Sequence, residues 1–320
     1  NIFIYGEFMG DMDVDPSEAN VEIKNKGYRD VVLLSYSPEG NLNWETHFGS
    51  SSNEFPTSMS LDHHGRVHIV GSFLYTFQVP VAGENFLLRQ KGLSTMFWAC
   101  VDQKGEIKWI KNAGGSGFAN GGFLKLAPDS SFWLLTSFTR QVDFAFEGTS
   151  NSLTSTNEDA PDFVLAHYDS GQNLLQTRQF RGESYAEIND FNLTRDGRIY
   201  LSGNFRANLD LDWTPEPISL KADTLWDGFV MGLRPEDQTI FWLKQLKGPD
   251  GESINAVRED RAGNIYLGGS YMANSTFDPK GIKLTLENDG FYDALLMRFA
   301  AVVPQEKPNK KSSRKKKKRR

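Results

Sequence analysis

Cysteine occurs once in the 320 residues, at Cys100, which excludes a disulfide framework and any zinc site built on two or four thiolates. Its setting in the run MFWACV reads as a small buried hydrophobe. No apolar run reaches the roughly 18 residues that a membrane-spanning helix needs. The N-terminal stretch NIFIYGEFMGDMD lacks a basic n-region and a long apolar segment, so it is not a signal peptide. Helical periodicity is missing as well, and the 29 glycines recur too often for long helices. There is no G-x-S-x-G, no phosphate-cradling loop with its lysine and no H-E-x-x-H. The nearest stretch, Gly114-Gly115-Ser116-Gly117, reads as a flexible loop between strands. An enzyme therefore has no motif to support it, although paired carboxylates for glycoside chemistry cannot be judged from spacing.

What the chain does have is a repeat. The segments IFIYGEF, VHIVGSF, FWLLTSF, IYLSGNF and IYLGGSY align Gly6, Gly71, Thr136, Gly203 and Gly269, at spacings of 65, 65, 67 and 66 residues. Two residues on, Phe8, Phe73, Phe138, Phe205 and Tyr271 form an aromatic column, which predicts packing between units. A second register starts at Asp30, Thr95, Asp162, Asp227 and Asp293 and reads DVVLLSY, TMFWACV, DFVLAHY, DGFVMGL and DALLMRF. A third carries Trp44, Trp109, Leu175 and Trp242, and a fourth precedes the last four copies of the first. In chain order within a unit we name the four runs A, B, C and D.

The runs are rich in Val, Ile, Phe, Tyr, Trp and Leu and are separated by Gly-, Asp- and Pro-containing turns, so each reads as a strand. The expected fold is all-β: a β-propeller over residues 1–303, built from five four-stranded repeats of about 66 residues, followed by a disordered polybasic tail over 304–320. The chain opens inside a B run and closes on a C run, so the first and last blades are incomplete. Exposed strand edges invite pairing, which predicts an upstream segment, or a partner, that completes them.

The order of sub-motifs DRAGNIYLGGSY, QVDFAF, DGFVMGL and GEIKW resembles the bacterial β-propeller repeat known as the SBBP repeat, over about residues 1 to 300. Thr136, Leu175 and Thr95 depart from that pattern. The resemblance implies a secreted or envelope protein of a bacterium, extracytoplasmic, that binds or scaffolds rather than catalyses one reaction. Fold alone does not give function.

One local motif suggests a metal. Asp11, Asp13, Asp15 and Glu22 match most of an EF-hand-type calcium loop, but its sixth position is Pro16, which cannot take the φ > 0 of the sharp turn. The repeat offers a structural alternative, because Asp13, Asp143 and Asp210 share one column and Asp15, Asp212 and Asp278 another. Such carboxylates commonly accept backbone N–H bonds in turns. His63 and His64, in the predicted A–B turn, and His68, in the next strand, could hold a transition metal but occur in one unit only, so solvated histidines are the expected reading. The regular Asp column at the C runs argues for construction of the unit rather than for a site.

The net charge of −6 conceals an asymmetry. Ten basic residues and no acid follow Glu306, which leaves residues 1–306 at −16. Lys310, Lys311, Arg314, Lys315, Lys316, Lys317, Lys318, Arg319 and Arg320 form a candidate surface for anionic lipid or another polyanion. Sequence-specific nucleic-acid recognition is disfavoured by the acidic body. The expected function is a non-enzymatic interaction module of a cell-envelope or secreted assembly. It binds protein or glycan through the B–C connections at 20–27, 82–92, 147–160 and 215–224. The alternative is a hydrolase or lyase with an acidic, calcium-assisted site.

Overall fold

In the computed structural model, residues 1–146, 150–158, 160–182, 186–211, 218–223, 225–277 and 284–301 are described. The 304–320 tail, with its candidate Lys and Arg residues, lies outside them, as do Asp212, Asp278 and parts of the 147–160 and 215–224 connections. The described residues are all-β, and no helix among them is long and apolar enough to cross a membrane.

The first unit supplies β1 (Ile2–Phe8), β2 (Met12–Asp13), β3 (Glu22–Ile23), β4 (Asp30–Tyr36) and β5 (Leu42–Phe48). The second supplies β6 (Glu54–Leu61), β7 (Val67–Phe73), β8 (Phe77–Val81), β9 (Glu84–Leu88), β10 (Thr95–Val101) and β11 (Ile107–Gly115). In the third are β12 (Phe123–Leu126), β13 (Phe132–Phe138), β14 (Gln141–Asp143), β15 (Ser152–Thr154), β16 (Asp162–Tyr168) and β17 (Leu174–Gly182). The fourth holds β18 (Ala186–Leu193), β19 (Ile199–Phe205), β20 (Asn208–Leu211), β21 (Ile218–Lys221), β22 (Asp227–Leu233) and β23 (Ile240–Lys247). The fifth holds β24 (Glu252–Glu259), β25 (Ile265–Tyr271), β26 (Ser275–Phe277), β27 (Leu284–Leu286) and β28 (Asp293–Phe299).

Runs A to D pair antiparallel in that order within a unit, as in β6–β7–β10–β11. The unit nevertheless has more strands than its sequence pattern predicts. Each B–C connection contains a short hairpin, and β14–β15, β20–β21 and β26–β27 each add to the D strand of the preceding unit, giving three six-stranded sheets. The β2–β3 and β8–β9 hairpins form two-stranded sheets of their own, and β1–β4–β5 and β24–β25–β28 are three-stranded. The sheets are separate, with no hydrogen-bonded closure from first to last among the described residues. β1 and β28 therefore each pair on one side only, and Leu296 on β28 is 81% exposed.

The close approach of a hairpin to the preceding D strand explains the glycines at its junction. A Cβ on Gly115 would strike the backbone carbonyl of Gln141, and one on Gly117 that of Thr139. Ser116 N donates to Gln141 O at 2.8 Å, so the Gly114–Gly117 stretch is a packed junction rather than a flexible loop.

The core lies between units. Val31, Leu33 and Phe48 of the first unit pack with Ile69, Phe73 and Phe97 of the second. Trp98 of the second joins Phe138 and Tyr168 of the third, and Leu135 and Phe180 of the third join Phe205 and Phe229 of the fourth. Tyr200 and Val230 of the fourth meet Leu267 and Tyr271 of the fifth. Phe73, Phe138, Phe205 and Tyr271 of the aromatic column thus pack across unit boundaries, as their periodicity predicts, whereas Phe8 packs within the first unit. Every phenylalanine or tyrosine so buried removes apolar area worth about 2–3 kcal/mol from water.

Polar side chains reinforce these boundaries at a separation close to one repeat. Each A strand except β12 carries a bulge, at Thr57, Asn189 and Asn255. The bulge residue reaches the next unit: Thr57 Oγ1 donates to Gly122 O at 3.1 Å, and Asn189 Nδ2 to Ser253 Oγ at 3.0 Å. One residue on, Ser58 Oγ accepts Leu124 N–H at 2.9 Å and Asp190 Oδ2 accepts Val257 N–H at 2.8 Å. The A strands therefore contact one another in succession, β6 to β12, β12 to β18 and β18 to β24.

Candidate functional site

The Asp column at the start of the C strands is a construction device. Asp30 accepts Lys26 N–H at 2.6 Å, Asp162 accepts Thr156 N–H at 2.8 Å and Asp293 accepts Asp289 N–H at 3.2 Å. Thr95, the departure from the pattern, does the same with Lys91 N–H at 2.6 Å. A D-strand amide clamps the same return: Gln179 Nε2 bonds Thr154 O and Asp162, and Gln245 Nε2 bonds Lys221 O and Asp227.

The calcium candidates sit on and beside the β2–β3 hairpin. Asp13 Oδ1 accepts the N–H groups of Asp15 at 3.1 Å and Val21 at 3.0 Å, and Asp15 Oδ1 accepts Ser17 N–H at 2.9 Å. Asp143 repeats the arrangement, accepting Ala145 N–H and Asn151 N–H at the same offsets. Asp11 and Glu22 both pair with Lys24, at 2.8 and 2.6 Å. The Lys24 ammonium and Asn25 N–H hold Asp11 below the usual carboxylate range. Among the described residues, no group of three or more His, Cys, Asp or Glu side chains is arranged to hold a metal ion.

The histidines part company. His63 and His64 lie in the A–B turn with ring centroids 3.9 Å apart, whereas His68 is buried, not solvated, against Trp98, Trp109 and Phe132. Burial lowers its pKa to about 4 despite Asp62 at 3.4 Å. Cys100 is buried and its thiol is pushed up to about 11, an unreactive residue as its sequence setting implies.

A cavity of about 480 Å³ at the A–B turns of the fourth and fifth units is a charged surface whose Arg198 is tied to Asp196 at 2.8 Å and Glu259 at 2.7 Å. More varied chemistry converges at the opposite end, where B strands finish and C strands start. There an open cleft of about 390 Å³ lies between the fourth and fifth units, lined by Glu187, Asn204, Trp226, Glu252, Ser253 and Tyr292 among others. Glu187 accepts Asn204 Nδ2–H at 3.2 Å, and Ser253 Oγ donates to Asn204 Oδ1 at 3.2 Å, so the rim is one hydrogen-bonded run from β18 and β19 to β24. Trp226 is fixed by backbone bonds to Asp250 O and from Glu252 N, with the Arg206 guanidinium 4.9 Å over its ring. Tyr292, 62% exposed, also lines the cleft, and Phe291, 77% exposed, stands edge to face with it.

Beneath the cleft lies a buried carboxyl pair. Glu252, 1% exposed, is pushed up to about 7, first by burial and then by the charges of Asp227, Asp250 and Asp223. Asp227 is pushed up to about 6, again chiefly by burial, against the pull of Gln245. The same pair recurs as Asp30 and Glu54 between the first two units, where burial likewise raises Glu54. Sequence reading missed this site because its residues come from four strands and two connections. Its one signal is a break in the repeat, Glu252 and Glu54 standing where Ala119 and Ala186 occupy the other units. Compared with known proteins, the chain matches no protein-family model and no curated sequence.

Proposed function

We propose that the chain is a β-propeller interaction module related to the SBBP repeat, working outside the cytoplasm in a bacterial envelope or secreted assembly. It holds a protein or glycan partner at the end where the B–C connections emerge, and it is not an enzyme. The circular arrangement draws support from A strands that touch in succession and from Lys125, whose pKa is lowered by burial and by the charge of Arg258, two units further on. The observation that carries the binding reading is the cleft between the fourth and fifth units, with exposed aromatic rings beside a fixed polar rim. The B–C connections take part through Tyr292 and Trp226 rather than as free loops, since three of their hairpins are paired into sheets.

The test is affinity capture from envelope and secreted fractions, with mass spectrometry of what is retained. A stoichiometric partner is expected, and Phe291→Ala and Tyr292→Ala baits are expected to lose it. A partner held equally by both variants removes this end from the reading. The polybasic tail is proposed to hold the module to anionic lipid or another polyanion. Removal of Lys307–Arg320 should abolish retention on anionic vesicles at low salt.

A hydrolase or lyase with an acidic, calcium-assisted site is the second reading, favoured by one observation. A carboxyl whose pKa is pushed up to about 7, as that of Glu252 is, suits a general acid working near neutral pH. Recurrence of the pair at Asp30 and Glu54 weighs for a structural role, and so this reading stands second.

A further inference from the structure

We propose that the cleft between the fourth and fifth units is a receptor for a primary ammonium group, carried by a lysine side chain or by an amino sugar. The inference rests on the reading of this end as the binding face and names the chemistry of its ligand.

The first argument is an excess of negative charge. Glu187 and Glu252 line the cleft, and Asp227, Asp223 and Asp250 are near enough for their charges to act on Glu252. Of the cations beside them, Lys247 is tied to Asp223 at 3.1 Å and Arg206 lies on the Trp226 ring.

The second argument comes from the repeat, which supplies its own reference. At the first copy of the carboxyl pair both oxygens of Glu54 are used: Ser50 N donates to Oε2 at 2.9 Å and Ser50 Oγ to Oε1 at 2.6 Å. At the second copy Ser275 Oγ donates to Glu252 Oε1 at 2.8 Å, and the buried Oε2 has no partner. The residue in Ser50's position is Gly248, which has no hydroxyl to give and no room for a side chain. A buried carboxylate oxygen left without a donor holds negative potential under the cleft floor.

The third argument is the form of the cation. No three carboxylate, imidazole or thiol groups among the described residues are arranged around a metal ion. An ammonium needs instead a few acceptors for its three N–H bonds and an aromatic face for its methylenes. Glu187 and Asn255 offer the acceptors, and Tyr292, 62% exposed, offers the face.

Calorimetric titration of the whole chain at about pH 8, above the range in which carboxylates usually titrate, tests the proposal. The probes are Nα-acetyl-lysine amide beside Nα-acetyl-norleucine amide, and glucosamine beside glucose. One ammonium probe is expected to bind and its neutral counterpart not to, the lysine probe pointing to a protein partner and glucosamine to a glycan. Glu187→Gln, at an exposed position that does not threaten folding, and Glu252→Gln are each expected to weaken that probe at least about tenfold. Saturation by neither ammonium probe, equal binding of a neutral one, or unchanged affinity in Glu187→Gln would overturn it. Such a failure with partner capture intact leaves the binding face standing and removes only the ammonium; loss of capture as well removes the face.

Discussion

Ala273 turns the chain just after β25 with φ of 52°, and Ala207 does so after β19 with φ of 53°. Gly10 holds the corresponding place in the first unit, at φ of 71°. For a residue with a Cβ this conformation costs about 1–2 kcal/mol, whereas a glycine adds about 0.4–1 kcal/mol of unfolded-state entropy. The first term is the larger, so Ala273→Gly should stabilise the protein by up to about 1 kcal/mol, read from the urea midpoint at unchanged slope. A lower midpoint would mean that the entropy term prevails. At Glu252 the issue is charge. Its folded pKa, about 7, lies above that of a free glutamate, so the folded chain binds the extra proton between pH 4 and 7. The stability this confers is complete below the unfolded value and is lost as pH rises through 7. Glu252→Gln deletes the ionisation, so it should melt higher than the parent above pH 7, with the advantage shrinking toward pH 5. Melting curves of both proteins at the two pH values give the comparison, and a constant difference between them would remove the buried charge as the cause.

At the scale of elements, hairpin addition to the preceding D strand is the feature that makes neighbours interlock. Gly115→Val forces a side chain into the Gln141 backbone and should cost about 2–4 kcal/mol, measured by chemical denaturation. Gln245→Leu strips the clamp on Lys221 O and Asp227 and should cost about 1–3 kcal/mol. The A, B, C and D strands were legible in the sequence because each is a run of apolar residues, long enough to show its period and repeated in register. The hairpins were not. β2, β3, β14 and β15 have two or three residues each, too few for alternation to register, and what holds β14–β15 in the sheet is a long-range pairing that no local pattern encodes. The turn bonds of Asp13 and Asp143, by contrast, are local, running to residues two and eight further on. The cleft, assembled from β18, β19, β24 and β25 with the residues before β22 and β28, left only the Glu252 irregularity as a trace. Gly114–Gly117 was misread because a glycine cluster has the same composition whether it serves mobility or the close passage of two backbones.

For the molecule as a whole, the decisive property is that each hydrophobic cluster beyond the first is shared by two successive units and no more. Stability in such an array is a sum of unit terms and nearest-neighbour terms, so damage should stay near its origin. Trp98 gives a clean place to cause it, fully buried between the second and third units against Trp109, Phe132, Phe146 and Tyr168. Trp98→Ala should cost about 3–5 kcal/mol locally. Followed by hydrogen exchange, it is expected to lose protection in β7, β10, β13 and β16 while β22 and β25 change little. In the parent, the edge strands β1 and β28 should exchange ahead of the buried B and C strands, because each has a pairing partner on one side alone. Two arrangements then separate. An open series of sheets confines the loss to the units that flank Trp98, whereas a ring whose first and last units support one another couples all five and spreads it. Loss of protection in β25 equal to that in β10 would therefore rule out nearest-neighbour energetics and favour a closed, globally cooperative molecule.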